Sequence, residues 1–183
     1  MTQEKKLSKT KTCLIALAEN LEEQGSLWAN FMIGISHPLY RRTFFGGGAE
    51  AVRRRRQREV EYAYRQHLLK LQRQKWITMR RIGEEIQIAL TPRGRAVALR
   101  ERMKTASVCN DKEYVIVIFD IPEKERAVRE QFRSVLKKCG FQQLQRSVWM
   151  STHDVLVHLK EFIRCTKSHS WIRAFHAKDI EDD

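Results

Sequence analysis

YVIVIFDIP, residues 114 to 122, is the stretch whose reading decides the fold. Tyr114 to Phe119 is an unbroken run of aromatic and β-branched residues, the composition of a buried strand. The run stops on an acid, Asp120, and Ile121 and Pro122 follow. Pro122 is suited to the first turn of a helix, where its missing N–H costs nothing. That helix is expected to run to Lys138, with Val128, Phe132, Val135, Leu136 and Cys139 inward and Gly140 as its stop.

Further along, FQQLQRSVWMS (141–151) supplies two short strands. Thr152 then serves as the cap of a helix with Leu156, Leu159, Phe162 and Ile163 on its inner face. WIRAFHA (171–177) alternates as a last strand. The order strand, helix, strand, strand, helix, strand is that of a ferredoxin-like (βαββαβ) domain.

The residues before this domain have other periods. Leu14, Leu17, Ala18 and Leu21 recur at helical spacing over 8–24, and Gly25 ends the segment. Trp28, Phe31, Met32 and Ile35 repeat that spacing in a shorter, greasier piece, and FFGGG (44–48) reads as a turn. Residues 49–75 form a long amphipathic helix, or two with a break among the arginines, with Val60, Ala63, Tyr64, Leu68 and Leu71 inward. WITMRRIGEEIQIAL (76–90) alternates with period two around Ile82, Gly83 and Glu84, as a hairpin does. Thr91 caps and Pro92 opens a further helix with Ala96, Leu99 and Met103 inside. Periodicity fails over 104–112, which places the boundary between a domain at 1–105 and another at 106–183. The class is α+β, an N-terminal winged helix-turn-helix followed by the ferredoxin-like half.

The 183-residue chain carries a formal charge of +13. A charge of that size calls for a polyanionic partner, nucleic acid first and an anionic membrane surface second. No apolar run approaches the length of a bilayer, and no signal-peptide pattern follows the basic start, so a cytoplasmic location is expected. The four cysteines are dispersed without a CxxC pair, so no zinc site is expected.

Thirteen Lys and Arg stand against three acids between Arg41 and Arg81. A charged run is usually a solvated face, but this one lies on a helix directly before a basic-tipped hairpin. Helix then hairpin is the order of a winged helix, in which the helix enters a major groove and the wing meets flanking backbone. The candidate DNA-binding residues are Arg53, Arg54, Arg55, Arg56, Arg58, Tyr62, Arg65, Arg80 and Arg81. Which of the arginines read bases is left open, and Tyr62 fits helix packing as well as a contact to DNA.

The stretch VIFDIPEKERAVREQFRSVLKKCGFQQLQRSVWMS (117–151) resembles the central domain of the PaaX family of transcriptional repressors. It is also similar to the small nuclease-like CRISPR-adaptation protein to which that domain is related. The shared features are Asp-Ile-Pro closing a strand, spaced Arg126, Arg129 and Arg133, then Gly140-Phe141 and Ser147-Val148-Trp149. HLLKLQRQKWI (67–77) and IALTPRGRAVAL (88–99) resemble the family's winged-helix part more loosely. The resemblance implies a dimeric, double-stranded-DNA-binding regulator, a repressor with no catalytic residue and no cofactor. Repressors of the family extend further than this chain, so the acyl-coenzyme-A ligand of the founding member is not carried over, and the effector is left unknown.

The resemblance also raises an alternative, a divalent-metal-dependent nuclease or CRISPR-adaptation component. There the aspartate matching Asp120 is the proposed metal ligand, facing its twin across a dimer, and magnesium would be the cofactor. The other reading of Asp120 is structural: its carboxylate accepts amide hydrogens at the start of the following helix, or pairs with Arg126 or Arg146. No general base is evident beside it in the sequence, and the structural reading is preferred.

Overall fold

The computed structural model describes residues 7–23, 29–31, 50–82, 85–110, 112–168 and 170–178. The chain divides into two compact units, 1–94 and 95–183.

In the first unit, α1 (Lys9–Glu23) follows the expected stripe, and Leu14, Leu17, Ala18 and Leu21 are all buried. It packs on α2 (Glu50–Arg73), a single unbroken helix, where the Thr10 hydroxyl lies 3.2 Å from His67 Nδ1. Leu68 and Leu71 of α2 are buried as expected, whereas Ala63 is exposed; its small side chain does not require cover. The side chain of Val60 lies outside the described residues, as do Trp28, Met32, Ile35 and the FFGGG segment.

Phe31 is not helical. It belongs to β1 (Ala29–Phe31), which pairs antiparallel with Ile86–Ile88. A segment this short carries too few residues for period to separate helix from strand.

The hairpin forms as read. β2 (Ile77–Ile82) pairs with β3 (Glu85–Leu90) from Ile77↔Leu90 to Ile82↔Glu85, and the sheet order is β1-β3-β2. The link from α2 into β2 is a tight helix stop. Lys75 takes φ +58° and the Trp76 N–H donates to the Leu71 carbonyl at 3.0 Å, the hydrogen bond of a left-handed helix cap.

Helix α3 (Pro92–Lys104) starts where the sequence places it, with the Thr91 hydroxyl accepting the Gly94 N–H at 3.0 Å. The division between units falls after Gly94, inside this helix. Leu99 and Met103 belong to the core of the second unit, with Ala96 packed against it. Loss of periodicity marks where a helix ends; it does not tell which core the helix serves.

The second unit contains β4 (Glu113–Phe119), a 3-10 turn (Glu123–Glu125), α4 (Arg126–Lys138), β5 (Gln142–Gln145), β6 (Val148–Ser151), α5 (Leu156–Cys165) and β7 (Ile172–Lys178). The sheet order is β5-β6-β4-β7 with every neighbouring pair antiparallel. Val115, Val117 and Phe119 point into a core that includes Phe132, Leu136, Trp149, Leu159, Phe162 and Ile172. Phe119 and Phe132 meet edge to face, with centroids 5.4 Å apart. Gly140 takes φ +83° and ends α4, as expected of its conformational freedom.

Thr152 does not cap α5. The helix begins at Leu156 after Val155, with no side-chain cap bond. The intervening residues instead tie back to the strand region, through the Val108↔His153 bridge and the Asp154 N–H donating to the Ser107 carbonyl at 2.8 Å.

Candidate nucleic-acid interface and a basic groove

The first candidate surface lies wholly within the 1–94 unit. Arg53, Arg54, Arg55, Arg56, Arg58 and Arg65 are all carried by α2, whose backbone is helical throughout. The side chains of the first five lie outside the described residues. Arg65 is exposed, and Tyr62 keeps 66% of its surface, so Tyr62 is not a packing residue in this unit.

Arg80 and Arg81 are exposed on β2, and the Arg80 guanidinium donates across the hairpin to Gln87 Oε1 at 3.1 Å. Successive strand residues point to opposite faces, so these two arginines project from the two sides of the hairpin. The structure therefore gathers the expected residues on one helix and the hairpin that directly follows it.

The second feature surrounds Asp120. This residue directly follows β4, and its N–H donates to the Trp171 carbonyl at 2.9 Å. Its carboxylate is exposed and, among the described residues, accepts no hydrogen bond and joins no ion pair. The expected capping role is not realised. The 3-10 turn follows Pro122 and has no side-chain cap, and α4 begins only at Arg126, again without one. Arg126 and Arg146 do not pair with it either.

Arg129 and Arg133 are committed elsewhere. Arg129 donates to Glu123 Oε2 at 2.6 Å and to the Ile121 carbonyl at 3.4 Å. That hydrogen bond holds the Glu123 carboxyl below its ordinary range. Arg133 donates to Glu130 Oε1 at 2.9 Å and to the Arg146 carbonyl at 3.0 Å, and its guanidinium lies 5.8 Å from the centre of the Phe119 ring.

These side chains line a groove of about 920 Å³. Arg129, Arg133 and Lys137 recur every fourth residue along α4 and form one wall. Gln143 stands on β5, and Arg146 and Ser147 lie in the β5–β6 turn beside Asp120, where the Phe119 N–H donates to the Ser147 carbonyl at 3.1 Å; Glu123 also lines the groove. Lys137, Lys138 and Arg146 are exposed and make no ion pair among the described residues. The four-residue spacing on α4 is visible in the sequence. The opposite wall is not, because it depends on which strand returns beside that helix.

Among the described residues, no group of three or more His, Cys, Asp and Glu is placed to hold a metal ion. Asp120 contributes one carboxylate, so a metal there would need further ligands from outside this set. No helix among the described residues is long and apolar enough to cross a membrane.

The antiparallel βαββαβ domain, with an acid directly after its first strand, defines a recognisable class. Residues 108–183 match a family model described as the PaaX protein central Cas2-like domain. That match supports a PaaX-family protein. No curated protein matches it.

Proposed function

We propose that the protein is a sequence-specific double-stranded-DNA-binding transcriptional regulator, a repressor that acts as a homodimer on a pseudo-palindromic site. The observation that carries this reading is a 24-residue arginine-rich helix running directly into a hairpin with Arg80 and Arg81 exposed. The strand order β1-β3-β2, with helices before and after the hairpin, supports a winged helix-turn-helix. The match to the PaaX central-domain model is compatible with regulation of transcription.

The βαββαβ unit supports a ferredoxin-like dimerisation domain. Alternation in β4 sends Val115, Val117 and Phe119 into the core and leaves Tyr114, Ile116 and Ile118 on the other face. Register places Ile116 between Met150 and Phe175, and Ile118 beside Val148. Ile118 and Phe175 keep 40% and 42% of their surface, so this face offers apolar area for a second copy to cover. A two-fold dimer would present two basic helices to two half-sites.

The test is a binding selection from random duplexes. An enriched, inverted-repeat motif is expected, and recovery of unenriched sequence would refute sequence-specific regulation. Reversing Arg54, Arg55 and Arg58 to glutamate should abolish binding.

A second reading, a divalent-metal-dependent nuclease, is favoured by one observation, the uncommitted carboxylate of Asp120 in a groove rich in cations. If two copies share the ion, each supplying Asp120, bound magnesium would activate water for phosphodiester cleavage. Labelled DNA and RNA incubated with magnesium or with chelator decide it. Cleavage that requires magnesium and is lost in Asp120→Ala supports the nuclease; intact substrate in every lane rejects it.

A further inference from the structure

We propose that two copies of the chain pack through the outer face of the β5-β6-β4-β7 sheet about a two-fold axis lying along the strands, between β4 and β6. Asp120 of each copy then pairs with the partner's Arg146. The inference rests on the homodimer reading above and adds to it the axis and the charged pair that fix how the copies meet.

The strand register carries the assignment. β4 and β6 run antiparallel, with Ile116 opposite Met150 and Ile118 opposite Val148. Continued by two residues, the same register sets Asp120 opposite Arg146. The Phe119 N–H, which donates to the Ser147 carbonyl at 3.1 Å, carries the pairing toward that point. Alternation puts Ile116, Ile118 and Asp120 on one face of the chain, the face turned away from the core. Side by side, the two strands present two apolar pairs and then an acid level with a base.

A two-fold axis between these strands exchanges them. In such a contact residue i meets j of the other copy, and j meets i. Ile116 then meets the partner's Met150, Ile118 the partner's Val148, and Asp120 the partner's Arg146. The same axis lays Arg173, level with Ile118, over the partner's Gln145, level with Val148, so no like charges are opposed. Packed sheets lie about 10 Å apart, a gap that an arginine and an aspartate side chain span together. An axis over β4 itself would set Asp120 against the partner's Asp120, and two carboxylates repel unless a cation lies between them.

The two side chains are suited to this role. Both are exposed, and neither joins an ion pair among the described residues. Their backbones are anchored: the Asp120 N–H donates to the Trp171 carbonyl at 2.9 Å, and the Arg146 carbonyl accepts the Arg133 guanidinium at 3.0 Å. They stand at the end of a face on which Ile118 and Phe175 remain partly exposed. Apolar area at the centre of such a contact supplies affinity, and charges at its rim set orientation.

The experiment is sedimentation equilibrium of the full chain in the presence of a metal chelator. The parent should dimerise. Asp120→Arg alone and Arg146→Asp alone each oppose like charges at two symmetry-related places, and each should weaken dimerisation roughly tenfold or more. An equimolar mixture of these two variants should recover the parent affinity to within about threefold, because every acid then meets a base across the interface. A contact made within one chain would not be mended by mixing. Circular dichroism below the parent's dissociation constant confirms that each variant folds. Variants that dimerise as the parent does, a mixture no tighter than its components, or a parent dimer that requires magnesium would each overturn the pairing and leave the homodimer reading standing. A parent that stays monomeric would remove both.

Discussion

Replacing Gly94 by alanine tests how the hairpin is fastened to the helix that follows it. A Cβ at this position would lie 1.8 Å from the Trp76 carbonyl oxygen, 2.7 Å from its carbon and 3.0 Å from the Trp76 Cα. Ordinary contacts begin at 3.4 Å, so the two backbones must part by roughly 1.6 Å. That carbonyl accepts the Thr91 N–H at 3.0 Å and shares the Thr91 hydroxyl proton with the Lys75 carbonyl. Parting the backbones breaks the Thr91 N–H bond, a net loss of about 0.5–1.5 kcal/mol. Overpacking strain adds about 1–3 kcal/mol. The better helix propensity of alanine returns at most about 1 kcal/mol. The expected net loss is about 1–3 kcal/mol, and 2 kcal/mol in a unit of this size corresponds to a fall in Tm of about 8–16 °C. Far-UV circular dichroism during heating reads it, in the transition assigned to residues 1–94 by comparison with an isolated point variant of the second-unit core. A Tm within 3 °C of the parent, in units where about 4–8 °C corresponds to 1 kcal/mol, would refute the close approach of Gly94 to Trp76.

Other expectations follow from single residues. Arg80→Glu with Arg81→Glu should weaken duplex binding and reduce the slope of log K against log salt by about 1.8, if each arginine meets one phosphate; an unchanged slope would remove the hairpin from the interface. Burial pushes the Cys139 thiol up to about 11, and its Sγ–H donates to the Arg100 carbonyl at 3.7 Å. In a disulfide-exchange assay at pH 8 it should therefore be the slowest thiol in the second unit, and labelling as fast as Cys165 would contradict its burial. Glu123 is held below its ordinary value of 4.5 by Arg129. A depressed carboxyl stabilises the fold above its unfolded pKa and loses that contribution as pH falls through the folded pKa. Glu123→Gln should therefore melt slightly below the parent at pH 7, with the gap closing as pH falls from 4.5 downward; a gap that widens in acid would reverse the assigned sign.

Most of the second unit is legible because its elements are short and locally consistent. The strand period puts Val115, Val117 and Phe119 on one face, and the 3.6-residue period does the same for Leu156, Leu159, Phe162 and Ile163. Gly140 and Thr91 act through backbone chemistry that a few neighbouring residues determine. What sequence does not reveal depends on partners far along the chain. Phe31 becomes a strand because Ile86–Ile88 offers an edge to it. Leu99 and Met103 face a core assembled from residues that follow them by dozens of positions. The groove escapes notice for the same reason: Arg133 reaches the Arg146 carbonyl only after the chain has turned through Gly140 and β5. On α2 the sequence shows where positive charge accumulates, and the helix explains how it can be presented, but base reading depends on side-chain positions outside the described residues.

Asp120 offers a sharper discrimination than its place in a family motif. A carboxylate that fastens a helix start contributes about 0.5–2 kcal/mol, which its removal forfeits. Here the 3-10 turn separates Asp120 from the first N–H groups of α4, and those ends carry no side-chain cap. An exposed carboxylate without such bonds should contribute within about 0.5 kcal/mol of nothing. Asp120→Asn retains the shape and one acceptor oxygen while removing the charge. Its urea midpoint should match that of the parent, while any magnesium-dependent cleavage falls. A stability loss above about 1 kcal/mol would mean that the side chain fastens the fold after all. Unchanged stability with an altered cleavage signal would place its role at the groove, because a residue that holds nothing in the folded chain can affect that readout only through what enters from outside.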